Sequence, residues 1–279
     1  MLGKPCGKIK AVATIIVGYG LSALLGLVAG SFANVVILRY NTGMTLRGRS
    51  RCLSCSHQLT WPELIPVVSY FLQRGRCHNC RSQISPQYPL VEVITAAIFV
   101  LLFERFATMP FSLLFYWVVA TLLVIIAVYD WRHKIIPDGL VLIFIALGAI
   151  APVVTRLDDW QLSAVVVWWA HVILTALLFY FLFWALWRYS QGRWIGLGDA
   201  KLAAGIGLLL GFFQGVTALL VAFWAGALVG LAFIALAKSN LPWRPRNLKL
   251  KFKSELPFAP FLIFGILLVL ITNLNVVPF

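Results

Sequence analysis

FSLLFYWVVATLLVIIAVYD, residues 111–130, decides the fold. From Phe111 to Tyr129 no side chain is charged, and Asp130 closes the run. At about 1.5 Å per residue, such a helix approaches the ~30 Å hydrocarbon thickness of a bilayer.

The same composition recurs on both sides of it. Further apolar runs cover approximately 11–38, 88–104, 139–155, 162–187, 199–213, 215–237 and 257–276, which makes about eight. Of 279 residues, 61% are hydrophobic and 11% charged, far from the roughly 45–50% and about 25% of soluble domains. No soluble core hides that much apolar surface, so the bilayer is the solvent. The sequence predicts an all-α polytopic membrane protein. Run 199–213 is short and holds Gly205, Gly207 and Gly211, so it is expected to be tilted or buried among other helices. The first run lacks the short apolar core and small-residue cleavage site of a signal peptide.

Basic residues set the expected orientation. Loops 39–87, 130–138, 188–201 and 238–256 hold 18 of the 23 Lys and Arg residues, among them Arg47, Arg49, Arg51, Arg74, Arg76, Arg132, Arg193, Lys249 and Lys253. The opposite set holds five: Lys4, Lys8, Lys10, Arg105 and Arg156. The richer set is expected in the cytoplasm, with the tail of three lysines as the dissenting feature. The net charge of +14 then reads as loops facing an anionic leaflet, not nucleic-acid binding. The basic run 244–253 holds a single aromatic, Phe252, and no alternating series of them.

Four of five cysteines fall in loop 39–87, as Cys52-Leu53-Ser54-Cys55 and Cys77-His78-Asn79-Cys80. Two such knuckles can present four thiolates to one cation, and a tetrahedral sulfur shell suits zinc. The alternative, disulfides, needs an oxidising compartment. His57 and His78 stand by as substitute ligands. A closed four-thiolate shell is usually structural, and a loop this small lacks a core of its own, so metal would supply its fold. Cys6 is a lone thiol with nothing around it that suggests chemistry.

Nine acidic residues complete the inventory. Asp158 and Asp159 read as solvated, Glu63 and Glu255 as loop residues, and Glu92 and Glu104 bracket run 88–104. Asp130 ends one apolar run, and Asp199, after Gly196-Leu197-Gly198, opens another two crossings later, so both face the same side. Carboxylates at that depth are functional candidates. Two of them sharing a proton can hydrolyse a peptide: the ionised one takes a proton from water and the protonated one polarises the carbonyl. Helix capping is the competing explanation for both. Asp138, in Ile136-Pro137-Asp138-Gly139, reads as a turn and helix N-cap.

The motifs together are more specific than any one. They are Gly30-Ser31-Phe32-Ala33-Asn34-Val35-Val36, Arg51-Cys52 to Cys55, Gly75-Arg76-Cys77 to Cys80 and Tyr88-Pro89-Leu90-Val91-Glu92. Asp130 to Pro137-Asp138, Gly196-Leu197-Gly198-Asp199-Ala200-Lys201-Leu202 and Leu256-Pro257-Phe258-Ala259-Pro260-Phe261 follow. Over nearly its full length the chain resembles bacterial type IV prepilin peptidases, bifunctional leader peptidases and N-methyltransferases of pilus and type II secretion systems. The resemblance implies Asp130 and Asp199 as catalytic aspartates and Cys52, Cys55, Cys77 and Cys80 as zinc ligands. It also implies a multi-pass protein of the bacterial inner membrane whose active site faces the cytoplasm. The substrates would be prepilins or pseudopilins with a short basic leader and a hydrophobic N-terminal helix. They would be cut after a glycine, and the new N-terminus, usually phenylalanine, methylated with S-adenosylmethionine. Ala259 stands where the family usually has glycine, with packing consequences expected.

The expected division is 1–38 as the first transmembrane helix, 39–87 as a cytoplasmic zinc loop and 88–279 as the membrane-embedded peptidase domain. A methyl-donor site would have to be built from the loop and the membrane edge, near Gly75, since no glycine-rich nucleotide fold is present. Two rivals come from other classes. A proton-coupled transporter buries aspartates too, but near mid-membrane in repeat-related broken helices. A zinc-stabilised secretion-system scaffold explains the cysteines but not the paired aspartates.

Overall fold

A computed structural model describes residues 6–43, 45, 48–157, 165–238 and 257–274. Lys4, Arg47, Asp158, Asp159, the basic run 244–253, Glu255 and Leu256 lie outside the described residues, as do the side chains of Cys6, Lys8 and Lys10. The described chain is helical throughout its regular structure. The helices are α1 (Cys6–Arg39), α2 (Val68–Leu72), α3 (Gln87–Phe106), α4 (Pro110–His133), α5 (Asp138–Leu157), α6 (Val165–Ser190), α7 (Leu197–Lys238) and α8 (Ala259–Thr272). Five of them, α1, α4, α5, α6 and α7, are long and apolar enough to cross a membrane. The chain divides into two compact units, 1–125 and 126–279.

In the first unit α1 and α3 run antiparallel at very close range. A Cβ on Gly30 would stand 2.6 Å from the Glu92 Cα, so only glycine permits this approach. On α4, the Trp117 indole stacks on Phe99 at 5.0 Å and donates Nε1–H to the Phe99 carbonyl at 3.1 Å. Cysteine-bearing loop residues between α1 and α3 carry the 3-10 helix Trp61–Leu64 and the short α2.

In the second unit helix ends follow local chemistry. α4 stops where Lys134 turns to φ 55, ahead of Pro137, which cannot continue the ladder. α8 ends at Asn273 in the left-handed region, whose N–H returns to Val269 O.

The longest element is not one span. Gly211 sits at φ 71, ψ −169 in the middle of α7. A Cβ on Gly215 would lie 3.8 Å from Ile206 Cγ2, whereas positions 206 and 215 of a continuous helix stand about 13 Å apart along the axis. Residues on both sides of the break also meet the same stretch of α6, Gly207 against Ala176 and Gly215 against Phe179. The chain therefore reverses at Gly211, and α7 is a hairpin of arms 197–210 and 212–238. The first arm runs alongside α5, with Gly205 on Phe144 and Gly148 on Leu208. The second runs beside α8, with Phe223 on Phe258 at 5.1 Å. The short run 199–213 is this first arm, buried among α5, α6 and the second arm. With the hairpin counted as two arms, the expected eight runs are α1, α3, α4, α5, α6, both arms of α7, and α8.

Candidate active site and metal centre

Asp130 lies one turn from the end of α4, and Asp199 in the first turn of α7. Both are buried, 4% and 6% exposed, and the Asp130 carboxylate lies near enough to act on Asp199. Each carboxylate is half satisfied. One Asp130 oxygen accepts the Ala259 N–H at the start of α8. Asp199 Oδ2 accepts the Gly196 N–H at 3.1 Å, while its own N–H returns to the Gly196 carbonyl at 3.1 Å. The remaining oxygens, Asp130 Oδ2 and Asp199 Oδ1, are buried with no partner. Capping thus explains one oxygen of Asp199 and leaves the other unexplained. Close packing holds the pair in place: a Cβ on Gly198 would meet Ile136 Cβ at 2.9 Å.

Asp138 differs from its expected role. The Pro137 carbonyl accepts Leu140 N–H and Val141 N–H, at 3.1 and 3.2 Å, so Pro137 occupies the N-cap position and Asp138 is the first residue of α5. Its carboxylate caps nothing; Oδ1 instead receives Lys201 Nζ at 2.6 Å. Nothing in local spacing announces this lysine, whose partner lies 63 positions away. Ala259 acts here through its backbone N–H, which any residue but proline supplies, so the departure from glycine leaves that contact intact.

In the first unit the four cysteines converge, and their sulfurs lie within 4.8 Å of one another. The knuckles repeat one backbone design. Cys52 N–H binds His57 O and Cys77 N–H binds Ser82 O, both at 2.9 Å. Arg51 pairs with Gln58 as Arg76 pairs with Gln83, and Ser56 and Arg81 both turn at φ 58. A zinc–sulfur distance near 2.3 Å implies tetrahedral edges of about 3.8 Å, and Cys52 Sγ and Cys80 Sγ stand 3.8 Å apart. All four thiols are free, so the donor set fits a tetrahedral metal and not a pair of disulfides. Backbone N–H groups of Cys55 and Ser54, helped by the Ser82 hydroxyl, bring the Cys52 thiol down from 9.0 to about 6. The Ser82 hydroxyl also lowers Cys80. His57 is no ligand here: it faces Glu63 Oε2 at 3.5 Å. That same oxygen accepts the Thr60 N–H at 2.8 Å, which holds the Glu63 carboxyl below the usual carboxylate range.

Membrane-length helices, a buried aspartate pair and a four-thiol centre define a class: multi-pass membrane proteins with an acidic site and a metal-binding loop. Residues 24–106 match the family model of the bacterial peptidase A24 N-terminal domain. Residues 117–231 match that of the type IV leader peptidase family. A Bacillus subtilis (strain 168) protein named prepilin leader peptidase/N-methyltransferase is 30% identical, over 92% of this chain and 95% of its own. A Burkholderia pseudomallei (strain K96243) protein of the same name is 31% identical over 93% and 87%. One from Myxococcus xanthus (strain DK1622) is 34% identical over 76% and 62%. The chain belongs to the type IV leader peptidase family. No solved structure matches it.

Proposed function

We propose that this chain is a prepilin and pseudopilin leader peptidase of the bacterial inner membrane, cutting a short basic leader after glycine at the cytoplasmic face. The supporting observation is the unpartnered pair of buried oxygens, Asp130 Oδ2 and Asp199 Oδ1. Buried acceptors without donors are rare, and a shared proton and an attacking water would satisfy both. In this reading the ionised aspartate takes a proton from water as the oxygen attacks the scissile carbonyl. The protonated partner gives its proton to the carbonyl oxygen. The Ala259 and Gly196 N–H groups hold the outer oxygens, so the inner ones keep their orientation. In this reading residues 88–279 form the membrane-embedded peptidase domain and follow the transmembrane helix 1–38 and the loop 39–87 in sequence.

The loop 39–87 holds zinc on Cys52, Cys55, Cys77 and Cys80, a closed and therefore structural shell. The relatives' names include N-methyltransferase, and we assign methylation of the new N-terminus to this chain too, in the first unit. S-adenosylmethionine would supply the electrophilic methyl group. Asn34 Oδ1 and Glu63 Oε1, buried acceptors without donors, are groups of the kind its ammonium and hydroxyls would need.

A cleavage assay in membranes with a prepilin substrate tests the dyad. Asp130→Asn and Asp199→Asn should each abolish cleavage at unchanged protein level, because an amide neither carries the shared proton nor acts as base. Near wild-type cleavage by either variant sinks the assignment.

A further inference from the structure

Glu92 is a buried carboxylate that the cleavage chemistry does not use. It is 6% exposed, in the second turn of α3. Such a group stays buried only when hydrogen bonds replace its water. Two do so, from different elements. Val67 N–H, in the cysteine loop, donates to Oε2 at 2.7 Å, and the Ser31 hydroxyl of α1 donates as well. Beside this rung Asn34 Nδ2 donates to the Tyr88 carbonyl at 3.1 Å, so the α1–α3 pair is stitched at this end by successive polar rungs.

The loop end of the Glu92 contact is strained. Val67 stands at φ 62, ψ −50, and Val68 N–H closes on the Pro66 carbonyl at 2.6 Å. That is the rare positive-φ γ-turn, centred on a β-branched residue that strongly disfavours it. Strain of this kind persists only where surroundings over-determine it, and it clusters at functional sites. Here the Glu92 carboxylate holds the Val67 N–H, while the Val67 carbonyl accepts the Phe71 N–H at 3.3 Å.

We infer that Glu92 is a positioning residue for methyl transfer, pinning the cysteine loop to the α1–α3 pair through Val67. This rests on the reading that methylation belongs to the first unit. Arg39 at the end of α1 fixes the start of the loop by donating to the Thr45 and Arg49 carbonyls, the Glu92 anchor fixes its far part, and a reacting site shifted by about 1 Å can lose up to ~100-fold in rate. Leader cleavage belongs to Asp130 and Asp199 and does not depend on the pin.

Two variants of the full-length, zinc-loaded protein separate reach from charge. Glu92→Asp keeps the charge but is one methylene short of Val67 N–H. Glu92→Gln gives up the charge but keeps an oxygen at the same reach. Each is scored for cleavage, for methylation of the cleaved product and for the rate of protease cutting within 39–87. Expected for Glu92→Asp are cutting at least about fivefold faster, methylation at least about tenfold slower, zinc retained and cleavage within about twofold. Glu92→Gln should match wild type in all. The reverse pattern, or wild-type methylation and protection in both, overturns the inference, as does failure of Glu92→Gln to accumulate. A wild-type protein that cleaves without methylating sinks the methyl-transfer reading itself. Protease protection then decides separately whether Glu92 anchors the loop.

Discussion

Asp138 shows how much a residue's duty depends on its partner. Had it capped α5, Asn would serve nearly as well, while Ala would cost about 0.5–2 kcal/mol. As the partner of Lys201 it predicts something else. Asn and Ala both lose the ion pair, so the two variants should be destabilised alike, by no more than about 1 kcal/mol for a pair this exposed. Both should retain cleavage. Thermal unfolding and cleavage of the two variants check this, and tolerance of Asn alone would restore the cap. Asp130 and Asp199 were legible because an ionisable residue at the end of an uncharged run has few innocent explanations. The lysine bridge and the Glu92–Val67 bond were not, since each joins positions that only the folded backbone brings together.

Elements carry the next two predictions. Glu63 closes the 3-10 turn by accepting Thr60 N–H, and its carboxyl is lowered by that bond. A lowered folded value means the unfolded chain binds the proton more readily. The contribution is therefore fully present above the ordinary value of about 4.3 and is lost as pH falls through the lowered one. Hydrogen exchange in the loop should distinguish wild type from Glu63→Gln at pH 7, and the difference should fade as pH falls past the ordinary carboxylate value and through the lowered one. A difference that persists in acid would show that the charge is not what closes the turn. Gly211 predicts a cost of another origin. Its φ 71, ψ −169 lies in a region reserved for glycine, so Gly211→Ala should lose about 1–3 kcal/mol, read as a lower unfolding midpoint in detergent. An unchanged midpoint would mean that the turn is made elsewhere. The number of apolar runs was visible in the sequence, including the short glycine-rich one. The hairpin was not, because two apolar arms joined by one glycine look the same whether the chain bends or reverses.

At the scale of the whole chain, charge and cysteines make a joint claim. In the proposed orientation loop 39–87 lies with the richer basic set in the cytoplasm, where thiols stay reduced and can hold zinc. Purified protein should contain about one zinc. In right-side-out vesicles an impermeant thiol reagent should not reach Cys52, Cys55, Cys77 or Cys80, whereas in inverted vesicles it should label them once a chelator is added. Labelling from outside, or native disulfides without metal, would reverse the topology. The reversal at Gly211 has a bearing on how the protein is made. A first arm of 14 residues, about 21 Å long, falls short of the ~30 Å hydrocarbon layer. It cannot wait in lipid alone with the backbone groups around the turn unpaired. Arms 197–210 and 212–238 must therefore leave the insertion machinery together, with Asp199 delivered to its site only after Lys238 has been synthesised.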